Sequence, residues 1–360
     1  MIYSKAATGL RAGRHASPSL ALAALEEALE KLGEPQANSI LLLLTPEFLP
    51  MLDATLRICA RRASCTRILG ANCRGVLTEP GAVLDQAACA VMVFTDPFRL
   101  DPPQTAGEGG TQISFATADA CDWGWLQQGH PRIGMMTSPG LRGGRVWSGV
   151  RSAASGRIQA LISGISDSGT ILSRGLRQLT PLLRVSRSEG SRILALDGRP
   201  ALEWVARCLP YSARESEKIP LHHLMLACPL DEAGTLLNGR FRLLHITRTD
   251  PADQLLELSE PVESGQGIYF VLRDPVVAER DTRSGLELLR TRLPESAFAF
   301  LFASFGRGPD FHAGKNRDLE LFKHYYPHTP LIGSYGLGEI GPLENETHLI
   351  QYTSVFSAFV

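Results

Sequence analysis

Ser39-Ile40-Leu41-Leu42-Leu43-Leu44-Thr45 sets an unbroken apolar run between two small hydroxylated residues. The run is too short for a helix and too continuous for a strand with one wet face, so it predicts a strand buried on both sides. A strand of that kind must be covered on each face by helices or by another sheet. The chain is therefore expected to be α/β, with α+β as the variant, its buried β-sheets flanked by helices. Phe298 to Ser304 carries the same signature near the C-terminus.

The surroundings of the two runs also match. Ser17-Pro18, then Leu22, Leu25, Leu29 and Leu32 before Gly33, read as a capped amphipathic helix ended by glycine. After the first run come a helical stretch around Pro50 to Arg62 and a short strand, Arg67-Ile68-Leu69-Gly70-Ala71-Asn72-Cys73-Arg74-Gly75-Val76-Leu77, entering a glycine-bounded turn. After the second come Asp318 to Tyr326, with Asp318 as the expected cap and Leu319, Phe322 and Tyr326 apolar, and then Leu331-Ile332-Gly333. This order, strand, helix, strand and glycine turn, occurs once in each half and predicts two pseudo-repeated halves with pseudo-twofold architecture. Between them, residues 156–197 look strand-rich, and Asp197-Gly198 precedes a helix opened by Pro200 and stopped by Pro210, with Leu202, Val205 and Leu209 on one face. The expected division is a helical lead-in over 1–37, one half over 38–200 and another over 201–360, with a charged loop at 214–218.

The 360-residue chain is 44% apolar and 20% charged, with a net charge of -1. That near-neutral balance argues against a protein that coats nucleic acid or an anionic membrane. No apolar stretch approaches the ~20 residues that a membrane-spanning helix requires, and no apolar segment follows the basic N-terminal residues as a secretory leader would. Seven dispersed cysteines without a C-x-x-C pair predict reduced thiols and a cytoplasmic location.

Gly336-Leu337-Gly338-Glu339-Ile340-Gly341 satisfies G-x-G-x-x-G, yet the context of a dinucleotide site is missing. Such a site needs a helix beginning within the glycines so that its amides meet the pyrophosphate. Here the glycines run into Pro342-Leu343-Glu344-Asn345-Glu346, and Glu339 would add negative charge beside phosphates. The glycines read instead as a strand-end turn presenting Glu339. The companion loop, Ser304-Phe305-Gly306-Arg307-Gly308, holds a guanidinium between two glycines, where it can meet a carboxylate or pair with a structural one. Arg307 and Glu339 on neighbouring strand ends would suit a zwitterionic ligand, or would neutralise each other.

Other candidates are weaker. His324 and His328 have helical metal-ligand spacing, but Pro327 between them should end the helix. His222, His223 and His312 read as structural histidines, with His312 placed to line a pocket. Cys73 beside Arg74 is either activated or, more commonly, buried and inert. The Gly164 to Gly169 stretch is no nucleophile elbow. Trp123 and Trp125 read as core or pocket wall.

Phe298 to Gly308, Leu319 to Tyr326 and Thr329 to Pro342 together resemble the C-terminal signature of the FIST family. Ile40 to Leu44, Ile68 to Gly75 and the D-G-x-P-A junction within Leu194 to Trp204 resemble its N-terminal module, FIST N. The resemblance implies a sensory, signal-transducing protein rather than an enzyme, binding a small polar ligand such as an amino acid, with no cofactor. The ligand is expected at the strand-end loops, at Ser304, Gly306, Arg307, Gly308, Tyr335, Gly336, Gly338 and Glu339, with Asn72 and Arg74 from the first half. No signalling domain is attached, so a separate signalling protein is the expected partner. The alternatives it leaves are a haem-based nitric-oxide sensor and an enzyme built on Ser304, Arg307 and His312. Many relatives carry Cys where Ser304 stands, which puts thiol chemistry at that loop in doubt, and the first half lacks an acidic partner after its turn.

Overall fold

A computed structural model describes residues 5–103, 110–137, 143–208, 224–230, 241–343 and 346–360. The predicted strand-helix-strand pattern is present in both halves, and a third copy lies between them. The first copy runs β1 (Ala6–Gly13), α1 (Pro18–Leu32), β2 (Ser39–Leu44), α2 (Leu52–Arg62), β3 (Ile68–Asn72), β4 (Gly75–Thr78), β5 (Gly81–Leu84) and β6 (Ala87–Phe94). The second runs β7 (Arg99–Asp101), β8 (Gln112–Ala116), α3 (Trp123–Leu126), β9 (Arg132–Met136), β10 (Val146–Ser148), β11 (Arg151–Ser152) and β12 (Arg157–Ser163). The third opens with β13 (Ser168–Ser173) and is then interrupted.

The interruption, residues 175–278, is a compact unit of its own. It holds β14 (Leu176–Gln178), β15 (Leu183–Glu189), β16 (Arg192–Leu196), β17 (Arg199–Pro200), α4 (Ala201–Cys208), β18 (Leu224–Pro229), β19 (Phe241–Asp250), β20 (Leu255–Leu258) and β21 (Gly267–Arg273). The order β21-β15-β16-β20-β19-β18 closes through a β18 to β21 pairing, giving an antiparallel barrel. Inward residues such as Val185, Leu226, Leu244 and Phe270 fill it together with Ala201 and Val205 of α4. Asp197 and Gly198 both take positive φ, 47° and 73°, as the tight turn between β16 and β17 requires. Leu209, Pro210, residues 214–218, His222 and His223 lie outside the described residues.

The chain resumes the third copy within α5 (Pro275–Arg292) and continues through β22 (Phe298–Ser304), α6 (Arg317–Tyr325), β23 (Leu331–Gly336), β24 (Gly338–Leu343), β25 (Glu346–Ile350) and β26 (Ser354–Phe359). Residues 1–174 and 279–360 therefore make one unit, so the compact units are not separated near residue 200 as expected from the repeats.

Within that unit the three copies exchange hairpins in a ring. Each contributes four strands to a sheet, in the orders β1-β6-β2-β3, β7-β12-β8-β9 and β13-β26-β22-β23. Each sheet is completed by a hairpin from another copy: β10-β11 on β3, β24-β25 on β9, and β4-β5 on β23. The expected glycine turns are thus crossings, at Cys73-Arg74 and at Leu337, where the chain leaves one sheet and enters the next. The middle copy escapes a sequence reading because its helix α3 has a single turn.

One glycine marks the register of all three. Gly70, Gly134 and Gly333 stand opposite Leu42, Ser114 and Leu301 in the parallel pairs. A Cβ at any of them would lie 1.8 Å from the carbonyl oxygen of that partner. The inner faces of the sheets share one core, with Leu41, Leu43, Ile113, Phe115, Phe300 and Phe302 at matching places. Phe115 and Phe302 meet edge to face at 5.6 Å, the geometry that aromatic quadrupoles favour.

The outer faces carry the helices. Helix α1 has the expected ends: Ser17 Oγ accepts from the Leu20 amide, and Gly33 takes a left-handed φ of 77°. Its buried stripe is Ala21, Ala24, Leu25, Ala28, Leu29 and Leu32, with Leu22 only half-buried. Alanines are chosen there because the helix lies against β1, where a Cβ on Gly9 would sit 1.9 Å from the Ala24 carbonyl oxygen.

Candidate functional site

The parallel strands β22 and β23 end side by side, with Ser304 opposite Gly336. The loop after β22 makes one-turn 3-10 helices at Phe305–Arg307 and Pro309–His312 before α6 begins. Hairpin β4-β5 of the first copy pairs with β23, Gly75 opposite Tyr335, and so brings Arg74 to the same place. Of the residues singled out in the sequence, Arg74, Ser304, Gly306, Arg307, Gly308 and Tyr335 gather here.

The Arg307 guanidinium points inward. Nη2 donates to both carboxylate oxygens of Asp318 at 2.9 and 3.1 Å and to Thr282 Oγ1 at 3.2 Å, while Nη1 donates to the Ser173 carbonyl at 2.9 Å. Thr282 Oγ1 and Ser354 Oγ also donate to Asp318, at 2.9 and 2.6 Å. Both ion-pair side chains are buried, 1% and 4% exposed. Burial pushes the Asp318 carboxyl up, but the Arg307 charge and the Ser354 hydrogen bond overcome it and hold the group below its ordinary value. Asp318 was expected to cap its helix; it sits in the first turn of α6 instead, and the helix N-terminus has no side-chain cap.

Glu339 does not meet Arg307 as a partner. It lies in β24, fully buried, and neither carboxyl oxygen makes a hydrogen bond among the described residues. Its place in the fold explains this. Ala71, Met135 and Ser334, each following its copy's marker glycine, pair with Val146, Glu339 and Val76. Glu339 thus occupies a core position that holds valine in the other two copies. Burial raises its pKa well above the ordinary carboxylate value, against the Thr353 backbone and the Arg307 charge, which favours the neutral form.

Gly336 and Gly338 serve close packing and have no left-handed backbone. Cβ atoms there would press on Met135 Sδ at 3.1 Å and on the Leu349 side chain at 2.9 Å. No helix follows them, since β24 does, which disposes of the dinucleotide reading on structural grounds.

Tyr335 is buried, and its hydroxyl donates to Asn316 Oδ1 at 3.0 Å. Ser304 is buried at the mouth of the loop. His312, also buried, has Nε2 without a hydrogen-bond partner among the described residues. Burial, with the Arg307 charge, lowers its pKa against the pull of Asp318, leaving a neutral imidazole. Arg74 is half-exposed: its guanidinium lies 3.5 Å from the centroid of the Phe305 ring, and Nε reaches Asp85 Oδ1 at 3.3 Å. Asn72 is placed elsewhere. It ends β3, accepts from the Arg145 amide at 2.5 Å through Oδ1, and leaves Nδ2 buried and unpartnered among the described residues.

The remaining candidates resolve by burial. Cys73 is fully buried, and that burial pushes its thiol up. His324 and His328 are exposed and share no helix, because α6 stops at Tyr325. Among the described residues no group of three or more His, Cys, Asp or Glu side chains could hold a metal ion, and no helix is long and apolar enough to cross a membrane. Trp125 is core, its Nε1 donating to Gln159 Oε1 at 2.7 Å, while Trp123 is 53% exposed. Arg132 escaped the sequence reading: it is wholly buried, 4.6 Å over Trp125, and hydrogen-bonded to Ser114, Gln159 and Gln128. Burial and the nearby Arg157 charge bring its pKa down to about 10. Thr282, which meets both Arg307 and Asp318, and Ser354, which meets Asp318, were equally invisible, being remote in sequence and ordinary in type.

The fold and site define a mixed α/β protein with polar groups collected at the ends of parallel strands, the place where open α/β sheets take ligands. Residues 201–342 match the FIST C domain, a family associated with sensing and signal transduction. Similar proteins include an uncharacterised protein of Mycobacterium bovis, 28% identical over 192 residues, which are 53% of this chain and 50% of that protein. Another, from Mycobacterium tuberculosis, is 26% identical over 232 residues, 63% of this chain and 60% of that one. F-box only protein 22 of Homo sapiens is 32% identical over 79 residues, 21% of this chain and 20% of that protein. The chain spans about half the length of the first of these relatives.

Proposed function

We propose that this is a small-molecule-binding sensory protein, acting in the cytoplasm, whose ligand is a small polar metabolite of the amino-acid class. The ligand would lie at the loops ending β22 and β23, against Ser304, Gly306, Gly308 and Arg74, with Tyr335, Arg307, Gly336, Gly338 and Glu339 forming the floor. One observation carries this reading: the Arg74 guanidinium lies over the Phe305 ring beside the loop, with the exposed carboxylate of Asp85 as its ion-pair partner. A guanidinium oriented on an aromatic face and lightly paired is ready to exchange that partner for a ligand carboxylate. In this reading Arg307, saturated by Asp318, is the rack on which the loop is set, and Asn72 takes no part. All seven cysteines are free, which supports a reducing compartment. A separate protein would read the bound state.

The test is calorimetric titration with a panel of amino acids and related carboxylates, comparing wild type with Arg74→Ala. Saturable binding weakened at least tenfold by Arg74→Ala is expected. Binding unaffected by that change, or no binding across the panel, refutes the assignment.

A further inference from the structure

The three copies carry a hydroxyl at the same strand end: Thr45, Thr117 and Ser304 follow the positions paired with Asn72, Met136 and Tyr335. Each amide at that point donates to the backbone that leads into the copy's last strand, at Ala88, Gly156 and Thr353. Three residues further on, the copies diverge. The first has Phe48, fully buried, and the third has Arg307, 2% exposed. The second has Ala120, a single methyl group, and its following helix α3 has one turn.

Beside this turn lies a cleft of 620 Å³, within the range of small-ligand sites. It is lined by Thr117, Asp119, Thr137, Gly144, Arg145 and Ser155, among others. Two turns, Thr117 to Ala120 and Ala153 to Gly156, face it and are tied by a 2.7 Å bond from the Thr117 amide to the Gly156 carbonyl. Thr137 is completely buried, yet its Oγ1 has no hydrogen-bond partner among the described residues; Thr117 is 9% exposed and turns its hydroxyl to the Asp119 carboxylate. A buried hydroxyl left unmatched is costly, so Thr137 at this cleft calls for an occupant. Arg145 is exposed, and its side chain donates only to the Gly144 carbonyl, at 3.3 Å, with no carboxylate in ion-pair range among the described residues. Gly144 lies so close to Thr137 that a Cβ would fall 2.2 Å from Oγ1, which keeps the arginine loop against the hydroxyl.

We propose that this cleft binds a small oxyanion, with the Arg145 guanidinium and the Thr137 hydroxyl as donors. Guanidinium and hydroxyl donors converging on one concavity match the oxygen fan of a phosphate, sulfate or carboxylate group. The exposed Asp119 carboxylate stands at the rim, where Thr117 helps to hold it below its ordinary pKa. Its charge favours a singly charged anion over a doubly charged one. The site is separate from the Arg74 loop.

The experiment is titration of the full chain at low ionic strength with inorganic phosphate, sulfate and acetate, read by calorimetry and by nitrogen-15 NMR shifts. The expected result is one saturable site, with Thr137 and Arg145 amides among those shifted. Arg145→Ala, on an exposed side chain, should weaken binding at least tenfold. Asp119→Asn should tighten phosphate binding more than acetate binding. Acetate saturating alone would mark a carboxylate site, and phosphate or sulfate saturating would mark a tetrahedral-anion site. No saturation by any of the three, or saturation untouched by Arg145→Ala, overturns the proposal. Arg74→Ala should leave this titration unchanged, which separates its failure from failure of the amino-acid reading.

Discussion

Replacing Arg307 by methionine tests whether the buried pair governs the C-terminal strand ends. Asp318 would keep its hydrogen bonds from Thr282 and Ser354 but lose its countercharge in a site 4% exposed. Breaking one side of a buried pair costs about 3–5 kcal/mol, because the survivor is a charge out of water. Adding Asp318→Asn removes that charge while keeping an acceptor, so most of the loss should return. The pH dependence must also reverse. In wild type the Asp318 carboxyl is held low in the folded state, so its contribution is present above about pH 4 and drains away as acid protonates it. In Arg307→Met, burial is no longer opposed by that charge, the carboxyl rises above its unfolded value, and stability falls as pH climbs above about 4. Trp123, Trp125 and Trp147 lie in the unit containing Arg307 and Trp204 in the other. Urea unfolding followed by tryptophan fluorescence in a Trp204→Phe background therefore reads the relevant unit. A loss below about 1 kcal/mol at pH 7, with an unchanged pH slope, would show that the pair does not hold the loop.

Glu339→Val, restoring the residue type of Val76 and Val146, should stabilise the same unit by about 1–3 kcal/mol. It should also remove a decline in stability as pH rises past about 4.3, where only the unfolded state ionises; urea midpoints across pH 4–8 check both, and a destabilised variant would contradict the account. Gly333→Ala drives a methyl into the Leu301 carbonyl and should cost at least about 1–3 kcal/mol by denaturation, with Gly70→Ala and Gly134→Ala behaving alike. A thiol-alkylation time course should modify the partly exposed Cys121 and Cys208 and spare Cys73, whose burial keeps it protonated; early labelling of Cys73 would rule out the packing described.

The buried runs Ile40 to Leu44 and Phe298 to Ser304, the caps of α1 and the helix-strand order of both halves were legible because each depends on neighbours in sequence. An apolar run without alternation has to be covered, and Ser-Pro before a periodic segment ending in Gly has one reading. The site was legible only in part. Arg307 and Glu339 were expected on neighbouring strand ends, yet Glu339 lies on a strand that has already crossed into the next sheet, paired with Met135.

Sequence by itself determined what kinds of element form and that the pattern repeats, since local periodicity and turn chemistry carry that information. Tertiary structure alone decided which sheet each hairpin joins, because Cys73-Arg74 and Leu337 look like turns until the pairings of β4 with β23 and β24 with β9 are seen. It also decided the charge states. Asp318 keeps its charge because Arg307, Thr282 and Ser354 converge on it from three different segments. Glu339 is pushed toward its neutral form because burial outweighs the Thr353 backbone and the Arg307 charge. Whether a buried carboxylate is paired depends on what the fold brings within 3 Å of it, and no spacing along the chain records that.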